Sequence, residues 1–563
     1  MRSSSGLRRL IWPAVLTLLA WGLRLVLLEE VPPGWRDDEL INIYALAGRV
    51  LAGHPTLYFT GASGHEPLYH TAHAVVLALV GTNPLGAHLL SIASGTLTVP
   101  LLYALGRRLF HRKAAILAAV FLAPSFWSLM YSRFGMRHVT VLPPVLAAFC
   151  LLWSLDRFSL PAPRRRVLVA CGLLLAAALY TYTVARLLPF VLLAFGTYLA
   201  LFHRERFRDW WRPLLVTLLV MGVVTLPLWI AIAQGRSEAA AQGIGADARI
   251  AELLVPLREM RAGNPQPLLE NVWTTLGMFH ATGDPEWLYN LPARPVFGTV
   301  GAALFFAGLG LCVSRWRRPE YAFLLIWLAA GVSPALVTLP PSSLGHTILA
   351  QPAVYLITAI PLAAGSSLIV SRLSQFTTRR LSLVACGLLI AALSLPVIFR
   401  DLHDYFVDWP ARWMVRFLYR QDYREAAWFL DEHPEVADIA AGSTLMGPWD
   451  RLALAADLRR DDLRARLFNP ERALVIPAGS APSVLLTTFP ELDPSLKDLL
   501  EDPPVWEKRG LRLHQPAPDP VRPTVRLSTT FNNGLELVGA TWPEGEPAPG
   551  RKGTVWLIWR VAR

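Results

Sequence analysis

The residues of this sequence best suited to chemistry are three consecutive acids, Asp37, Asp38 and Glu39. They stand directly after the first apolar run of the chain, at the start of an amphipathic stretch. Carboxylates at a lipid–water boundary are costly to keep there unless they have a task, such as binding a substrate or exchanging a proton. We therefore expect the functional site to be built around this acidic triplet.

Three arginines stand at ends of apolar runs that the charge pattern described below places on the outer side. Arg133 and Arg137 are four residues apart and share one face if their segment is helical. Arg186 follows the sequence Tyr180–Ala185 at another outer end. Guanidinium groups bind phosphate oxygens in pairs and stay charged in partly apolar surroundings, so the three predict a phosphate or pyrophosphate clamp. The alternative is that they only reach the lipid head groups.

A further acid, Glu66, lies between His65 and Pro67 and begins a second apolar stretch that includes Tyr69. Pro67 suits the first turn of a helix, and an anion is favoured at a helix N-terminus. Glu66 is therefore either a carboxylate that orients an acceptor or binds a metal, or a simple helix-start acid. His65 is a candidate ligand beside it, or else an ordinary surface histidine.

The long loop over residues 233–296 carries the other candidates. Loops of this length often form lids or substrate clefts, which makes Asp284 and Asn290 candidate site residues. Both could instead only cap turns. His280 is a possible metal-binding partner for Glu66, and His346 is another outer histidine just before an apolar run.

The elements that must position these residues are membrane helices. The chain has 563 residues, 53% of them hydrophobic, and a formal net charge of +12. This composition exceeds that of soluble proteins and excludes a typical nucleic-acid-binding protein. Runs near spanning length lie at about 10–28, 88–105, 114–131, 139–154, 167–183, 187–202, 213–232, 297–314, 321–338, 347–370 and 381–398.

Six basic segments separate these runs, and about eleven spans place all six on one side. By the positive-inside rule that side is the cytoplasm, so the N-terminus is cytoplasmic and the tail lies outside the plasma membrane. A crossing at 67–80 would break this pattern, and that run is short. We therefore expect 38–51 and 67–80 to be interfacial helices within a first outer loop at 29–87. The first apolar run is read as an anchor without a signal-cleavage site. The basic segments are 2–9, 107–113, 164–166, 204–212, 315–318 and 372–380.

The tail differs in composition from the membrane region, which we assign to residues 1–400. Residues 401–515 combine helical stretches at 423–432 and 450–467 with short strands at 474–476 and 483–488, which predicts an extracytoplasmic α/β domain. Residues 516–563 form a β-rich module with strands at 525–531, 535–538 and 554–561, and a hairpin turn at Asn532–Gly534.

Several site types are missing from the sequence. The four cysteines all lie in apolar runs without metal-ligand spacing and are interpreted as small buried residues. The chain has no P-loop, no Rossmann glycine pattern and no Asp-x-Asp triplet for a nucleotide sugar. An enzyme that works outside the cell without a nucleotide needs an activated donor that is already a lipid.

The order of these motifs resembles the GT-C superfamily of integral-membrane glycosyltransferases. The closest branch holds the protein O-mannosyltransferases and the bacterial lipid A aminoarabinose transferase, which are like glycosyltransferase family 39. Asp38 and Glu39 match the family's acidic pair in the first outer loop, and the segment around Glu66 matches its His-Pro or Lys-Pro element. Arg133 or Arg137 resembles the family's outer arginine. The resemblance covers about residues 10–400.

The resemblance implies transfer of one sugar from a polyprenyl-phosphate donor to a protein, lipid or polysaccharide acceptor, with inversion at the anomeric carbon. Asp38 is then the general base and Glu39 orients the acceptor or the base. The arginines stabilise the departing lipid phosphate. A divalent cation is the candidate cofactor, and the sequence leaves its use undecided. The alternatives are a transporter or flippase of lipid-linked saccharides and a non-catalytic scaffold for glycan assembly.

Overall fold

A computed structural model gives the architecture of the chain and describes residues 3–60, 64–155, 161–241, 254–375, 378–443, 447–478, 482–517, 523–531, 534–542 and 554–561. The chain divides into two compact units, Met1–Tyr419 and Arg420–Arg563. Residues 401–419, which the sequence interpretation assigns to the outer domain, are part of the first unit.

Within the described residues of the first unit, the regular elements are helices, joined by turns and loops. Its α-helices are α1 Ser3–Leu25, α2 Asp37–Leu40, α3 Gly48–Leu51, α4 Pro67–Val80, α5 Pro84–Leu109, α6 Arg112–Leu122, α7 Phe126–Ser132, α8 Leu142–Leu152, α9 Pro161–Leu179, α10 Leu188–Phe202, α11 Arg204–Ala241, α12 Val255–Arg261, α13 Gln266–Gly277, α14 Thr299–Ser314, α15 Pro319–Val337, α16 Gln351–Leu373, α17 Arg379–His403, α18 Trp409–Ala411 and α19 Trp413–Leu418. Short 3₁₀ segments Arg137–Val141, Thr183–Leu187 and Ile348–Ala350 and π-helical segments Ile41–Ala47 and Asp404–Asp408 join some of them.

Several helices are long and apolar enough to cross a membrane, which makes this a multi-pass membrane protein. Within the described residues there are six such helices, or seven if the bent pair α6–α7 forms one span. Four shorter apolar helices of 10–17 residues accompany them, at Leu10–Leu25, Pro67–Val80, Arg137–Leu152 and Thr299–Ser314. The expected count of about eleven spans and the sidedness of the chain stay predictions.

The acidic triplet opens a helix that runs without a break from Asp37 to Leu51, with π-helical geometry at its centre. The apolar residues Leu40, Ile43 and Ala47 of this helix are buried, whereas Leu51 at its end is exposed. The π-helical segment packs against α4. The part of the helix that follows Asp38 is therefore covered by protein.

The turn after α7 separates two arginines that the sequence analysis placed on one helical face. The helix ends at Ser132, and the backbone turns through Gly135 before the 3₁₀ segment begins at Arg137. Gly135 lies so close to α5 that an added Cβ would come within 3.0 Å of the Ala87 carbonyl oxygen. The expected helical pairing of Arg133 and Arg137 is wrong because the chain leaves the helix between them.

The second unit contains a five-stranded mixed sheet with strand order β2-β1-β3-β5-β4. Strand β1 pairs in parallel with β2 and β3, whereas β5 runs antiparallel to β3 and β4. Alternate residues such as Ile439 and Ala440 belong to two different apolar clusters, so both faces of the sheet are covered. The elements are α20 Gln421–Glu432, β1 Asp438–Gly442, α21 Pro448–Asp457, β2 Arg464–Phe468, β3 Ser483–Leu486, β4 Trp506–Lys508 and β5 Leu511–His514.

Two predictions for this unit are corrected. The helix expected over 450–467 ends at Asp457, and Arg464–Phe468 is a strand with alternating exposure. No strand forms at 474–476, because Leu474 and Val475 pack against the apolar cluster around Phe468. Strand β1 was not foreseen, since its sequence Asp-Ile-Ala-Ala-Gly has weak β-propensity.

The last part of the chain forms a separate three-stranded antiparallel sheet of order β6-β7-β8. The strands are β6 Val525–Thr530, β7 Leu535–Thr541 and β8 Trp556–Val561. They confirm the expected β-rich end of the chain. The predicted hairpin turn includes residues 532 and 533, which lie outside the described residues.

Candidate active site

A cavity of about 660 Å³ in the first unit brings together several residues that the sequence analysis singled out. The cavity lies between the turn after α7, the 3₁₀ segment Thr183–Leu187, the loop before α14 and the end of α15. Its wall carries acidic, basic and aromatic side chains side by side. The charged and polar lining residues include Arg36, Asp38, His65, Arg137, His138, Arg186, Glu286, Tyr289 and His346.

Asp38 presents its carboxylate to the cavity under a clamp of two donors. Arg36 donates from Nη2 to Asp38 Oδ2 at 2.6 Å, and the Tyr289 hydroxyl donates to the same oxygen at 3.1 Å. The Asp38 side chain is 26% exposed, whereas that of Arg36 is 8% exposed. The neighbouring Asp37 is half-buried in the first turn of the same helix. Arg36 and Tyr289 thus fix the direction of the Asp38 carboxylate, and the guanidinium group of Arg36 compensates its charge.

Glu39 points away from the cavity and fastens the acidic helix to the protein core. Its side chain is fully buried, and Oε1 accepts the backbone N–H of Gly135 at 2.7 Å. His88 Nε2 lies 2.9 Å from the same oxygen, and Oε2 accepts the N–H of Arg36 at 3.4 Å. These contacts hold the first turn of the helix that carries Asp38 against Gly135 and His88, and the catalytic part expected for Glu39 stays a prediction.

Glu66 lies behind two arginines that reach the cavity. Its carboxylate is fully buried, and Oε1 accepts hydrogen bonds from Arg186 Nη2 at 3.0 Å and from the Thr183 hydroxyl at 2.7 Å. Arg137 Nε lies 4.0 Å from Oε2, and neither of these two atoms has a hydrogen-bond partner among the residues that the structure describes. Two guanidinium groups thus share one carboxylate, which leaves one positive charge facing the cavity.

Arg133 is separated from this pair. It is fully buried and donates to the backbone carbonyls of Leu23 and Val31, at 2.8 and 2.9 Å, and of Leu27. Leu23 lies in the last turn of α1, where a cation is favoured, and Leu27 and Val31 lie in the segment that follows this helix. Arg133 is not among the described cavity-lining residues, so its position fits a structural role.

Two of the histidines that line the cavity, His346 and His65, each have a polar partner close to a ring nitrogen. His346 lines the cavity and its Nδ1 lies 2.8 Å from the Thr338 hydroxyl. His65 also lines the cavity, and its Nδ1 lies 3.1 Å from Nε2 of the buried His70. The rings of His65 and His70 are nearly parallel, which suits a hydrogen bond between them.

Tyr69 is buried behind this pair. Its ring packs edge-on against the His70 ring, with the two centroids 5.2 Å apart. Tyr69 supports the histidine pair from within the protein and is not among the described cavity-lining residues.

The loop between α13 and α14 is held in shape by buried polar side chains. Asp284 accepts the N–H of Glu286 at 3.0 Å and that of Leu344 at 2.8 Å. Asn290 donates to the carbonyls of Asp284 and Arg294, both at 2.9 Å. Burial raises the pKa of the Asp284 carboxyl to about 7, although both backbone hydrogen bonds act to lower it. Asp284 and Asn290 therefore shape the loop.

His280 lies at the start of this loop. It is exposed, and its ring packs edge-on against Phe306. His280 is not among the described cavity-lining residues, so it is not brought to Glu66 there.

Among the described residues, the side chains that line this cavity do not form a group arranged to bind a divalent cation. Within the described residues, the one group of three ligand-type side chains with neighbouring donor atoms is His403, Asp404 and Asp408, none of which lines the cavity. Asp404 Oδ2 is already 2.6 Å from Arg294 Nε. The carboxylates of Asp38 and Glu66 are likewise engaged by guanidinium groups, so the donor sets present do not fit a metal site.

Sequence reasoning missed several lining residues. Arg36 could have been found, because a basic residue in an outer loop was the signal that selected the other arginines. Tyr289 stands beside the selected Asn290, but nothing in the sequence says that its hydroxyl reaches Asp38, 251 positions away. Tyr182 and His138, whose ring centroids are 4.4 Å apart, carry no local motif.

Comparison with known proteins gives one family match. Residues 64–230 match the family model described as dolichyl-phosphate-mannose-protein mannosyltransferase. The matched segment includes Glu66, Arg137 and Arg186, whereas Asp38 lies before it. No curated protein matches the chain.

Solved structures of membrane glycosyltransferases are also similar to this chain. The oligosaccharyltransferase AglB of Archaeoglobus fulgidus, in complex with an inhibitory peptide and a dolichol-phosphate, is 15% identical with a TM-score of 0.49 over 79% of this chain. This chain spans 63% of that protein's length. ArnT from Cupriavidus metallidurans bound to undecaprenyl phosphate is 15% identical with a TM-score of 0.47, over 90% of this chain and 98% of that one.

The Pmt1–Pmt2 protein O-mannosyltransferase complex of S. cerevisiae, bound to its sugar donor, is 17% identical over 46% of this chain and 36% of that one, with a TM-score of 0.33. For the part of the chain that carries Glu66 and the two cavity arginines, the family match confirms the predicted resemblance to protein O-mannosyltransferases.

Proposed function

We propose that this protein transfers a sugar from a polyprenyl-phosphate donor to an acceptor hydroxyl at the extracytoplasmic face of the membrane. The observation that carries the proposal is a single cavity lined by an oriented carboxylate, Asp38, and by two arginines, Arg137 and Arg186. A transfer from a phosphate-linked sugar needs these two groups together, one for the incoming hydroxyl and one for the departing phosphate. The family match over residues 64–230 supports this reading.

In the proposed reaction, the acceptor oxygen bonds to the anomeric carbon as the bond from that carbon to the phosphate oxygen breaks. Asp38 takes the hydroxyl proton, and the lipid phosphate leaves with the bonding electron pair. Attack opposite the leaving group inverts the configuration of that carbon. Binding both substrates in one cavity removes much of the entropic barrier to their encounter.

The arginine pair suits the departing group. A phosphodiester donor carries one negative charge and gains another as its sugar leaves, so cations at this position favour the transition state more than the bound donor. Arg137 and Arg186 share the single countercharge of Glu66, so part of their positive charge is available to the phosphate. Their planar guanidinium groups can each donate two hydrogen bonds to phosphate oxygens.

The positions of the basic segments along the chain support an assignment of the cavity to one side of the membrane. Under the positive-inside rule, the basic segments Arg107–Lys113 and Arg204–Arg212 lie in the cytoplasm, at the other ends of the helices that lead to Arg137 and Arg186. We propose that the cavity opens outside, where lipid-linked sugars take the place of nucleotide sugars. The second unit, Arg420–Arg563, is then also extracytoplasmic.

The test compares wild type with Asp38→Asn in liposomes and in native membranes, using radiolabelled dolichyl-phosphate mannose and a panel of undecaprenyl-phosphate sugars. We expect wild type to convert one of these donors and Asp38→Asn to lose at least about 100-fold in rate. Asn keeps the size of the side chain, so thermal unfolding reports whether the fold is retained. Full activity in the variant would remove Asp38 from the mechanism. No turnover of any donor by folded wild type would favour the transporter or scaffold alternatives.

A further inference from the structure

Resting on the proposed function, we infer that Tyr289 is a positioning residue that holds the base for catalysis through its hydroxyl group. The Tyr289 hydroxyl donates to Asp38 Oδ2 at 3.1 Å, and Arg36 Nη2 donates to the same oxygen at 2.6 Å. Two donors on one oxygen restrain the carboxylate against rotation and direct its other oxygen. Tyr289 lies outside the acidic motif and comes from a loop about 250 residues later in the chain.

The ring of Tyr289 is fixed on both sides. The guanidinium carbon of Arg36 lies 4.6 Å from the ring centroid, within the range of a cation–π contact. Tyr131 stacks on Tyr289 with centroids 5.7 Å apart and an angle of 10° between the planes. Arg36 thus contacts both the Tyr289 ring and the Asp38 carboxylate. We name the unit formed by Arg36, Asp38 and Tyr289 the base clamp.

The backbone that presents Tyr289 is braced at the residues around it. Asn290 ties the carbonyls of Asp284 and Arg294 together, and Asp284 receives the N–H groups of Glu286 and Leu344. Arg294 in turn donates from Nη2 to Asp401 Oδ1 and from Nε to Asp404 Oδ2. A loop held by buried polar groups keeps its tip in place, as a side chain that aligns a reacting group requires.

The competing explanation is that Tyr289 only fills space between Arg36 and Tyr131. A phenylalanine would fill that space equally well, because it keeps the ring and both of its contacts. The difference between the two explanations therefore lies in the hydroxyl group alone. A hydrogen bond to a carboxylate contributes more than one between neutral groups, so its loss has a measurable effect on a base that depends on it.

The experiment compares Tyr289→Phe with wild type, Asp38→Asn and the matched control Tyr180→Phe, all as full-length protein in liposomes. Tyr180 donates its hydroxyl to the Val224 carbonyl and is not among the described cavity-lining residues. The substrate is dolichyl-phosphate mannose, or the undecaprenyl-phosphate sugar of the panel that wild type converts fastest. The readouts are kcat, KM for the donor, and the pH dependence of kcat.

For Tyr289→Phe we expect kcat to fall about 10-fold while KM for the donor stays within about 2-fold. The acid limb of the pH profile should move to higher pH, because the lost hydrogen bond had favoured the ionised carboxylate. Tyr180→Phe should match wild type in all three readouts. Wild-type kcat and pH profile in Tyr289→Phe, or an equal loss in Tyr180→Phe, would overturn the inference.

The two proposals fail in different ways. If wild type transfers sugar and Asp38→Asn does not, yet Tyr289→Phe behaves as wild type, the inference about Tyr289 fails and the proposed function stands. If folded wild type converts no donor, both fail together. Should Tyr289→Phe unfold at a lower temperature, the pH dependence of kcat decides between the two explanations. A loss of packing lowers kcat without moving the acid limb, so an acid limb at the wild-type position would overturn the inference.

Discussion

Two carboxylate–arginine clusters face the same cavity with their polarities reversed. In the base clamp the carboxylate is the exposed partner, since the Asp38 side chain is 26% exposed and that of Arg36 is 8% exposed. In the second cluster the carboxylate of Glu66 is fully buried, while Arg186 is 24% and Arg137 is 13% exposed. The same two chemical groups therefore present a negative charge at one wall and a positive charge at the other.

The difference shows that burial, more than residue type, decides what a charged pair offers to a ligand. Burying a charged group costs free energy unless an opposite charge pairs with it. In each cluster the more buried residue therefore stabilises the charge of the more exposed one in the low-dielectric cavity wall. The inner partner also fixes the direction of the outer one. Each cluster thus contains a more deeply buried partner, Arg36 in one and Glu66 in the other.

The largest effect should come from removing the inner charge of the second cluster. Glu66→Gln keeps a hydrogen-bond acceptor for the Thr183 hydroxyl but leaves the positive charges of Arg137 and Arg186 without a countercharge. We expect transfer to fall about 100-fold and the free energy of unfolding to drop by about 3 kcal/mol, because a buried pair is broken.

Activity assays and thermal unfolding in detergent measure both effects of Glu66→Gln. The exposed Glu432→Gln in the second unit is the matched control and should change neither quantity. Wild-type behaviour of Glu66→Gln would show that the arginine pair needs no buried partner.

Removing an outer cation should have a smaller and more selective effect. In Arg186→Ala we expect KM for the lipid donor to rise about 30-fold, equivalent to about 2 kcal/mol for a charge-assisted contact to phosphate. Stability should change little, since Glu66 keeps Arg137 and Thr183 nearby. Steady-state kinetics with varied donor concentration measure this change.

Arg204→Ala, at an exposed position in a basic segment, is the control for Arg186→Ala and should keep the wild-type KM. If both variants raise KM equally, the effect belongs to the overall charge of the protein. The cavity arginine would then have no special part in donor binding.

The smallest effect on transfer is expected at a third carboxylate, Asp284, which acts on stability. Its carboxylate is buried and bonded to backbone N–H groups of Glu286 and Leu344. Its pKa is raised to about 7 by burial, above the ordinary value of 3.8 in the unfolded chain. The stability that its protonated form provides is thus complete below about pH 4 and is lost as the pH rises toward 7.

The difference in unfolding free energy between wild type and Asp284→Asn should therefore fall with pH by up to about 1.4 kcal/mol per unit in this window, and be flat above it. Chemical denaturation at pH 5, 6 and 8 measures the slope. A pH-independent difference would mean that the loop under Tyr289 is held by an ionised carboxylate.

Part of this site could be predicted from the sequence. Asp38, Arg137 and Arg186 were selected because charge at the ends of apolar runs is costly, and the structure brings all three to one cavity. The same reasoning could not separate Arg133 from them, because only the break after Ser132 sends its side chain to the backbone carbonyls of Leu23, Leu27 and Val31. Sequence also could not reveal two of the contacts, since Glu66 meets Arg186 and Tyr289 meets Asp38 across more than one hundred residues.

The fold, too, could be predicted only in part from the sequence. Long apolar runs predicted the helices well, because periodicity and length are local properties. The second unit was harder, since its strand β1 depends on pairing with β2 and β3 on both sides and carries little local signal. Likewise, Leu474–Ile476 has the residue types of a strand but finds apolar packing instead of a neighbour.

The bond between Glu39 Oε1 and the Gly135 N–H joins the residue beside Asp38 to the residue two positions before Arg137. Asn42 Nδ2 also donates to the Gly135 carbonyl at 2.8 Å, so two contacts tie the turn before Arg137 to the helix that carries Asp38. The rest of the cavity wall comes from other segments, such as the end of α15 and the loop with Glu286. Under the proposed function, substitutions in those segments can change which acceptor or sugar is admitted without loosening the two contacts that hold these elements together.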